Sequence, residues 1–373
     1  MKKVKFIPRL FGLVLLAFVL IILLAGVTWS VLIHTSTSVN TSLVKEDWTA
    51  VSNGSHNAFT DLIDWKGDFY LAFRSAPSHI SFQSKIVVMK SADAKAWTEM
   101  AALSYPGEDI RDPKLAVIGG QLFLYALKNV DPMAEPYSTV YSSSSDGASW
   151  QPWQDVQPGW LFWRPQTFDQ KMWYVAAYAT QQDQVALFQT RDGKDWEKVS
   201  VISSGERQSE AAITFTADGK MIGVIRLEGD AANPPGTLVV SSSYPYQQWA
   251  HLRSPVTRLD GPSIFTYHGL VFAIGRSEPV GGVLSGDAGG LFNKKRTSLY
   301  QVTANGLRKM SDLPGDGDTS YTAIVLKGQD GYVSYYSNDI HLDLPWLVGM
   351  FSNANIQIAR LDLPALEQAA LNQ

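Results

Sequence analysis

The stretch SSDGASW, residues 144–150, decides the fold because the chain writes it more than once. The Asp146 carboxylate can accept backbone N–H groups of a tight turn, Gly147 supplies a positive φ, and Trp150 covers the turn from one side. SADAKAW (91–97) and TRDGKDW (190–196) repeat the pattern, SSYPYQQW (242–249) is a degenerate copy, and KEDW (45–48) keeps only its end. The tryptophans at 48, 97, 150, 196 and 249 are separated by 49, 53, 46 and 53 residues. A period near 50 belongs to propeller blades or a solenoid.

The segments between the turns separate those two. DFYLAF (68–73), KIVVMK (85–90), QLFLYAL (121–127) and MWYVAAY (172–178) are short runs rich in Val, Ile, Tyr and Phe, with no amphipathic helix of useful length between them. A blade of four antiparallel strands, with the turn between its third and fourth, satisfies this spacing. The segment DWTAV (47–51) reads as a last strand with no first three before it. SYTAIVLKG, GYVSYYS and ANIQIARLDL, near the other end, read as a blade without its last strand. Pairing the two closes the ring and removes both open edges. The turns resemble the Asp-box (BNR) repeats of the sialidase superfamily, which implies a six-bladed β-propeller. In that reading Asp93, Asp146 and Asp192 are structural staples on the rim.

The expected class is thus all-β: a six-bladed propeller of four-stranded antiparallel blades, closed by the N-terminal strand and preceded by one transmembrane helix. Residues 1–10 carry Lys2, Lys3, Lys5 and Arg9 and no acid. Residues 11–33 form an apolar run that spans roughly 34 Å as a helix, enough for a bilayer core. The run is long for a cleaved secretion signal, and LLAGVTWS offers no small-x-small cleavage site, so it reads as an uncleaved signal anchor. The basic flank then lies in the cytoplasm and the propeller on the exported side, periplasmic or extracellular. The boundaries read as a basic tail 1–10, anchor 11–33, linker 34–45, propeller 46–365 and C-terminal tail 366–373.

The chain has 31 Lys and Arg against 35 Asp and Glu. Without the four basic residues of the first ten, the balance is 27 against 35, near −8, which argues against nucleic acid as a partner. With no cysteine and six scattered histidines, neither a disulfide framework nor a metal cofactor is expected.

Four charged residues fall where blades one, four and five should line the centre: Arg74 in LAFRSAPSH, Glu210 in SEAAITF, Arg226 in GVIR and Arg276 in FAIGRSEP. An unpaired buried charge costs several kcal/mol, so these need a reason. Arginine suits bidentate recognition of a carboxylate and stays charged when buried. The order of the residues resembles the arginine triad of sialidases, and Tyr321 in GDTSYTAIV takes the place of the family's tyrosine. The resemblance implies that Tyr321 is the nucleophile, Glu210 its base, and the three arginines the clamp for an acidic sugar. A neutral phenol avoids the like-charge repulsion that an attacking Asp or Glu would meet, and sialidases are the known exception to the two-carboxylate scheme.

The proton donor departs from the family pattern. Where the family carries an aspartate after its first arginine, this chain has SAPSHISFQSK, whose one titratable side chain of suitable pKa is His79. Asp112 in EDIRDPKL matches the family's DP aspartate; it either serves as the acid or pairs with Arg111, which is placed beside it on the binding face. Arg164 in FWRPQ adds a fourth central arginine, with Trp163 as a stacking wall. SGDAGGLFNKKR (285–296) reads as a lid or a mobile excursion, and LDLPWLVGMF (342–351) as a segment that either packs on the propeller or meets the bilayer or a partner. The expected function is a membrane-anchored sialidase-like glycoside hydrolase acting on a terminal acidic sugar. The alternatives are a non-catalytic glycan-binding or assembly propeller, and a glycosidase using Glu210 and Asp112 as two carboxylates.

Overall fold

The computed structural model describes residues 7–34, 39–131, 138–230, 232–277 and 293–372. Six sheets, each of antiparallel strands, follow one another along the chain. Their innermost strands are His56–Trp65, Asp109–Ile118, a broken strand at Leu161–Phe162 and Gln166–Thr167, Gln208–Phe215, Leu259–Tyr267 and Ser320–Lys327. Blade six takes its outermost strand from the other end of the propeller sequence: Val44–Val51 pairs with Asn355–Asp362 in the register Val44↔Leu361, Trp48↔Ile358, Val51↔Ile356. The expected closure is present. Two of the anticipated boundaries move. Asn40 already accepts from the Asp312 amide at 2.7 Å, so packing begins inside the expected linker. Residues 366–371 belong to a helix, Leu363–Leu371, whose Leu366 is buried and whose start is capped by Asp362. The apolar spacing in LPALEQAAL gives that helix a face to bury.

The repeated turns hold the far rim as their chemistry dictates. Asp93 Oδ1 accepts from the amides of Lys95 and Ala96, Asp146 Oδ1 from Ala148 and Ser149, and Asp192 Oδ1 from Lys194 and Asp195, all at 2.7–3.0 Å. These bonds hold Asp93, Asp146 and Asp192 below the usual carboxylate range. Gly147 is required twice over, by its φ of +80° and because a Cβ there would lie 2.6 Å from the Tyr70 ring of the preceding blade.

The N-terminal helix, Ile7–His34, is long and apolar enough from Phe11 to Ser30 to cross a membrane by length and composition, and none of that stretch is buried against the protein. The apolar segment 342–351 contains a short helix, Trp346–Met350, and packs on the propeller: Leu344 and Met350 are buried, and the Met350 carbonyl accepts from the His79 amide at 3.1 Å. Most of the Gly-rich stretch 285–296 lies outside the described residues.

Candidate active site

The site is built from one device repeated around the ring. The inner strands of blades one, two, four, five and six each carry an extra residue near the same end, at Ala58/Asp61, Arg111/Lys114, Ser209/Ala211, Asp260/Ser263 and Ser320/Ala323. Blade three breaks there, between Phe162 and Gln166. Such bulges re-aim a side chain and end regular pairing. The positions they free are Phe59, Asp112, Trp163, Glu210, Gly261 and Tyr321. Phe59, Asp112 and Tyr321 take left-handed φ values of 58°, 52° and 50°, a conformation that costs a non-glycine residue about 1–3 kcal/mol and gathers at functional sites. Arg74, Arg226 and Arg276 are equivalent as well, since each pairs with the residue just before its bulge, Ala58, Ser209 and Asp260.

Around this ring Tyr321 and Glu210 meet. The Tyr321 hydroxyl donates to Glu210 Oε1 at 2.5 Å, Arg226 Nη1 reaches the same oxygen at 2.7 Å, and the Gly261 amide donates to Oε2 at 2.6 Å. Burial, and then the Glu210 charge, push the Tyr321 phenol well above its ordinary value, while Arg226 and Arg276 pull the other way. Phe59 packs edge-on against the Tyr321 ring at 4.6 Å. At position 261 a Cβ would lie 2.7 Å from the same ring, so the glycine leaves the space Tyr321 occupies. Gly261→Ala is expected to cost about 1–3 kcal/mol of stability from overpacking and strain at its φ of +59°; an unchanged denaturant midpoint contradicts this.

The three arginines do not stand free. Arg74 is fully buried, bound to Asp109 Oδ1 through Nε (3.0 Å) and Nη2 (2.9 Å) and to the carbonyls of Ser78 and Ser81. Arg226 bridges Glu210 and Glu228, Arg258 joins Glu228 to Asp260, and Arg276 lies between Asp260 (3.0 Å) and Asp318 (3.3 Å). Arg111 pairs with the other oxygen of Asp109. Arg164 is turned to the opposite mouth of the channel, where it pairs with Asp61 and lines a cavity of about 820 Å³.

The two candidate proton donors differ sharply. Asp112 is 6% exposed and, among the described residues, its Oδ1 has no hydrogen-bond partner. Burial pushes its carboxyl up to about 6, with Lys114 and Arg111 opposing. His79 Nδ1 lies 2.7 Å from Asp318 Oδ2, which His56 Nε2 also reaches at 3.1 Å. Burial lowers the His79 imidazole to about 4, so it is neutral at pH 7. With Nδ1–H donating to Asp318, its Nε2 can accept a proton but has none to give. Asp318 also accepts from Tyr336 and Trp346, at 2.9 and 2.8 Å. Among the described residues His56, His79 and Asp318 are the group whose donor atoms, within 4.8 Å of one another, could hold a metal ion; hydrogen bonds already join them.

No family model and no curated protein matches the sequence. Solved structures do match. The endosialidase of phage phi92 superposes with a TM-score of 0.64 at 11% identity, over 85% of this chain and 69% of that one. A Trypanosoma rangeli sialidase gives 0.62 at 15%, over 84% and 56%, so this chain spans little more than half of it. An α-L-arabinanase of Penicillium chrysogenum, complexed with arabinobiose, gives 0.58 at 14%, over 88% and 99%. The fold is a sialidase-like six-bladed propeller.

In this sialidase-like propeller Tyr321, Glu210 and Arg226, all singled out in the sequence, come together, but the carboxylates that pair with Arg74 and Arg276 were not singled out. Asp109, Asp260 and Asp318 stand one to three residues before the bulged Asp112, Gly261 and Tyr321, in DIRD, DG and DTSY. That spacing was the available signal. Trp346 gave none, because a loop carries it to Asp318 and to the Arg276 guanidinium, 4.8 Å from its ring.

Proposed function

We propose that the protein is a retaining, sialidase-like exo-glycosidase acting on a terminal acidic sugar. The observation that carries the reading is the buried Tyr321–Glu210 hydrogen bond of 2.5 Å, a phenol and a base poised on a strained bulge. In the first step the Tyr321 oxygen attacks the anomeric carbon as its proton passes to Glu210, while Asp112 protonates the departing oxygen. In the second, water cleaves the tyrosyl bond as Asp112 takes its proton, Glu210 returns the phenol's proton, and configuration is retained. Arg226 and Arg276 hold the sugar's carboxylate. Arg74, sealed against Asp109, supports the loop of His79 rather than touching the sugar.

Two expectations test the assignment. Arg226→Ala should weaken binding of an acidic monosaccharide by about 2 kcal/mol, on the order of thirtyfold, because a charged hydrogen-bond partner is lost, with neutral sugars unaffected. Calorimetry that finds both sugars affected alike removes the carboxylate role. For a natural glycoside with a poor leaving group, kcat/KM should fall as pH rises through about 6, since the acid works only while protonated. An activated aryl glycoside should not show that fall. Asp112→Asn should reproduce the split at all pH values, and the same split in His79→Ala with none in Asp112→Asn transfers the role to His79.

A second reading, a propeller that binds an acidic glycan without cleaving it, has one observation in its favour: SAPSHISFQSK, the segment after Arg74, holds no carboxylate to serve as the acid. Wild-type protein that binds such a sugar through Arg226 yet turns over no activated glycoside establishes that reading.

We also propose that the apolar helix anchors the propeller on the exported side with the site facing away from the bilayer. Val44 pairs with Leu361, Leu361 with Gly331 and Gly331 with Leu326, at the far end of the strand that opens on Tyr321. The tether therefore joins the face opposite the site.

A further inference from the structure

Glu228 and Arg258 are charged residues that the mechanism above leaves unused. Glu228 lies two positions beyond Arg226, just past the strand Met221–Leu227, whose last residue pairs with Gln208 beside the bulged Glu210. Its side chain is 20% exposed and bridges two guanidinium groups: Oε1 meets Arg226 Nη2 at 2.9 Å, and Oε2 meets Arg258 Nη1 at 2.8 Å. Among the described residues these two arginines are the partners of its oxygens, with no backbone amide between them. Both arginines are held from elsewhere as well. Arg258 grips Asp260 with Nε and Nη2, at 2.8 and 3.0 Å, and Arg226 donates from Nε to Ser209 Oγ at 2.8 Å and pairs with Glu210.

The carboxylates of this array are therefore held in different ways. Glu210 is 2% exposed and anchored by the Gly261 amide, and Asp260 is fully buried between Arg258 and Arg276. Glu228 has neither the burial nor the backbone donor. It is a carboxylate on a rotatable stem, partly in water, that gives each of two arginines one oxygen. Desolvated guanidinium groups require a counter-charge, and a bridging carboxylate of this kind is what an acidic sugar also has to offer. Two carboxylates repel each other at one such place. Resting on the reading that Arg226 meets the sugar's carboxylate, we propose that Glu228 is an internal stand-in for that group: an acidic sugar binds by displacing Glu228 from Arg226 and Arg258, and Arg258 is a further arm of the clamp. The contact also selects against neutral sugars, which bring no charge to take the place of Glu228.

A stand-in and a structural counter-ion predict opposite signs. If Glu228 merely held the arginines in place, neutralising it would loosen them and weaken binding. If it competes with the sugar, neutralising it strengthens binding. Glu228→Gln keeps the shape and an oxygen acceptor while removing the charge. In calorimetry on the full chain in detergent, N-acetylneuraminic acid should bind Glu228→Gln about tenfold more tightly than wild type. The methyl ester of the same sugar should bind both proteins equally. The gain should vanish when Arg226→Ala or Arg258→Ala is added. Glu228→Ala gives the same comparison if the glutamine variant does not fold. Equal or weaker binding of the acid by the neutral variants overturns the proposal and leaves Glu228 a structural counter-ion, while a loss of acid binding in Arg226→Ala would still uphold the clamp. A wild type and a glutamine variant that both bind the acid no better than the ester remove the clamp reading and the proposal with it.

Discussion

Tyr321→Phe is expected to abolish turnover of an activated glycoside of an acidic sugar, by 10³-fold or more on the order of what nucleophile removal costs, in a protein that still folds. The substitution deletes one oxygen. The ring keeps its contacts with Phe59 and Trp163, and Glu210 keeps Arg226 and the Gly261 amide as donors, so loss of stability should stay near 1 kcal/mol. An aryl leaving group needs little protonation, which isolates the nucleophile from the acid. Asp112→Asn and His79→Ala should therefore retain most of this activity while Tyr321→Phe retains none. A phenylalanine variant within tenfold of wild type eliminates Tyr321 as nucleophile and returns attention to Glu210 and Asp112 as a carboxylate pair.

Much of this was legible in sequence because the propeller repeats itself. The turn chemistry of Asp93, Asp146 and Asp192 is local, and local rules read the carboxylate bonds and the positive φ, which Ala94 adopts in the first turn and Gly147 and Gly193 in the next two; the Tyr70 ring that crowds Gly147 comes from another blade and was not legible. The triad was legible for a related reason: Arg74, Arg226 and Arg276 occupy one structural position in three blades, opposite the residue before the bulge. Arg164 obeyed the same reasoning only in part. Its blade replaces the bulge by a break at Pro165, and beyond the break the side chain faces the other mouth of the channel and meets Asp61. The partners of Arg74 and Arg276 were not legible, since Asp109 reaches Arg74 across 35 positions and Asp318 reaches Arg276 across 42. Periodicity places a residue on a face; it does not say which neighbouring blade supplies the opposite charge. The Asp109 partner of Arg111 was open for the same reason, since two carboxylates, Asp109 and Asp112, flank it in sequence.

Removing the closing strand is expected to be as damaging to the fold as Tyr321→Phe is to chemistry. A chain beginning at residue 39 keeps Asn40 and its bonds to Asp312 and Ser311, and should be as soluble as the parent propeller. One beginning at residue 53 loses Val44–Val51 and leaves Asn355–Asp362 as an open edge. On that edge Ile356, Ile358 and Leu361 are fully buried in the closed ring. The loss reaches beyond blade six, because Trp48 Nε1 donates to the Ala94 carbonyl in the first turn of blade one at 2.8 Å, and the same carbonyl holds Trp97. An exposed row of unpaired N–H and C=O groups flanked by apolar side chains is a template for pairing with another copy. Size-exclusion chromatography should then show the shorter chain as aggregate or strand-paired dimer, and thermal unfolding should begin at lower temperature. Two monomeric chains with equal melting temperatures would mean that blade six stands on three strands, and that the N-terminal strand only tethers the propeller.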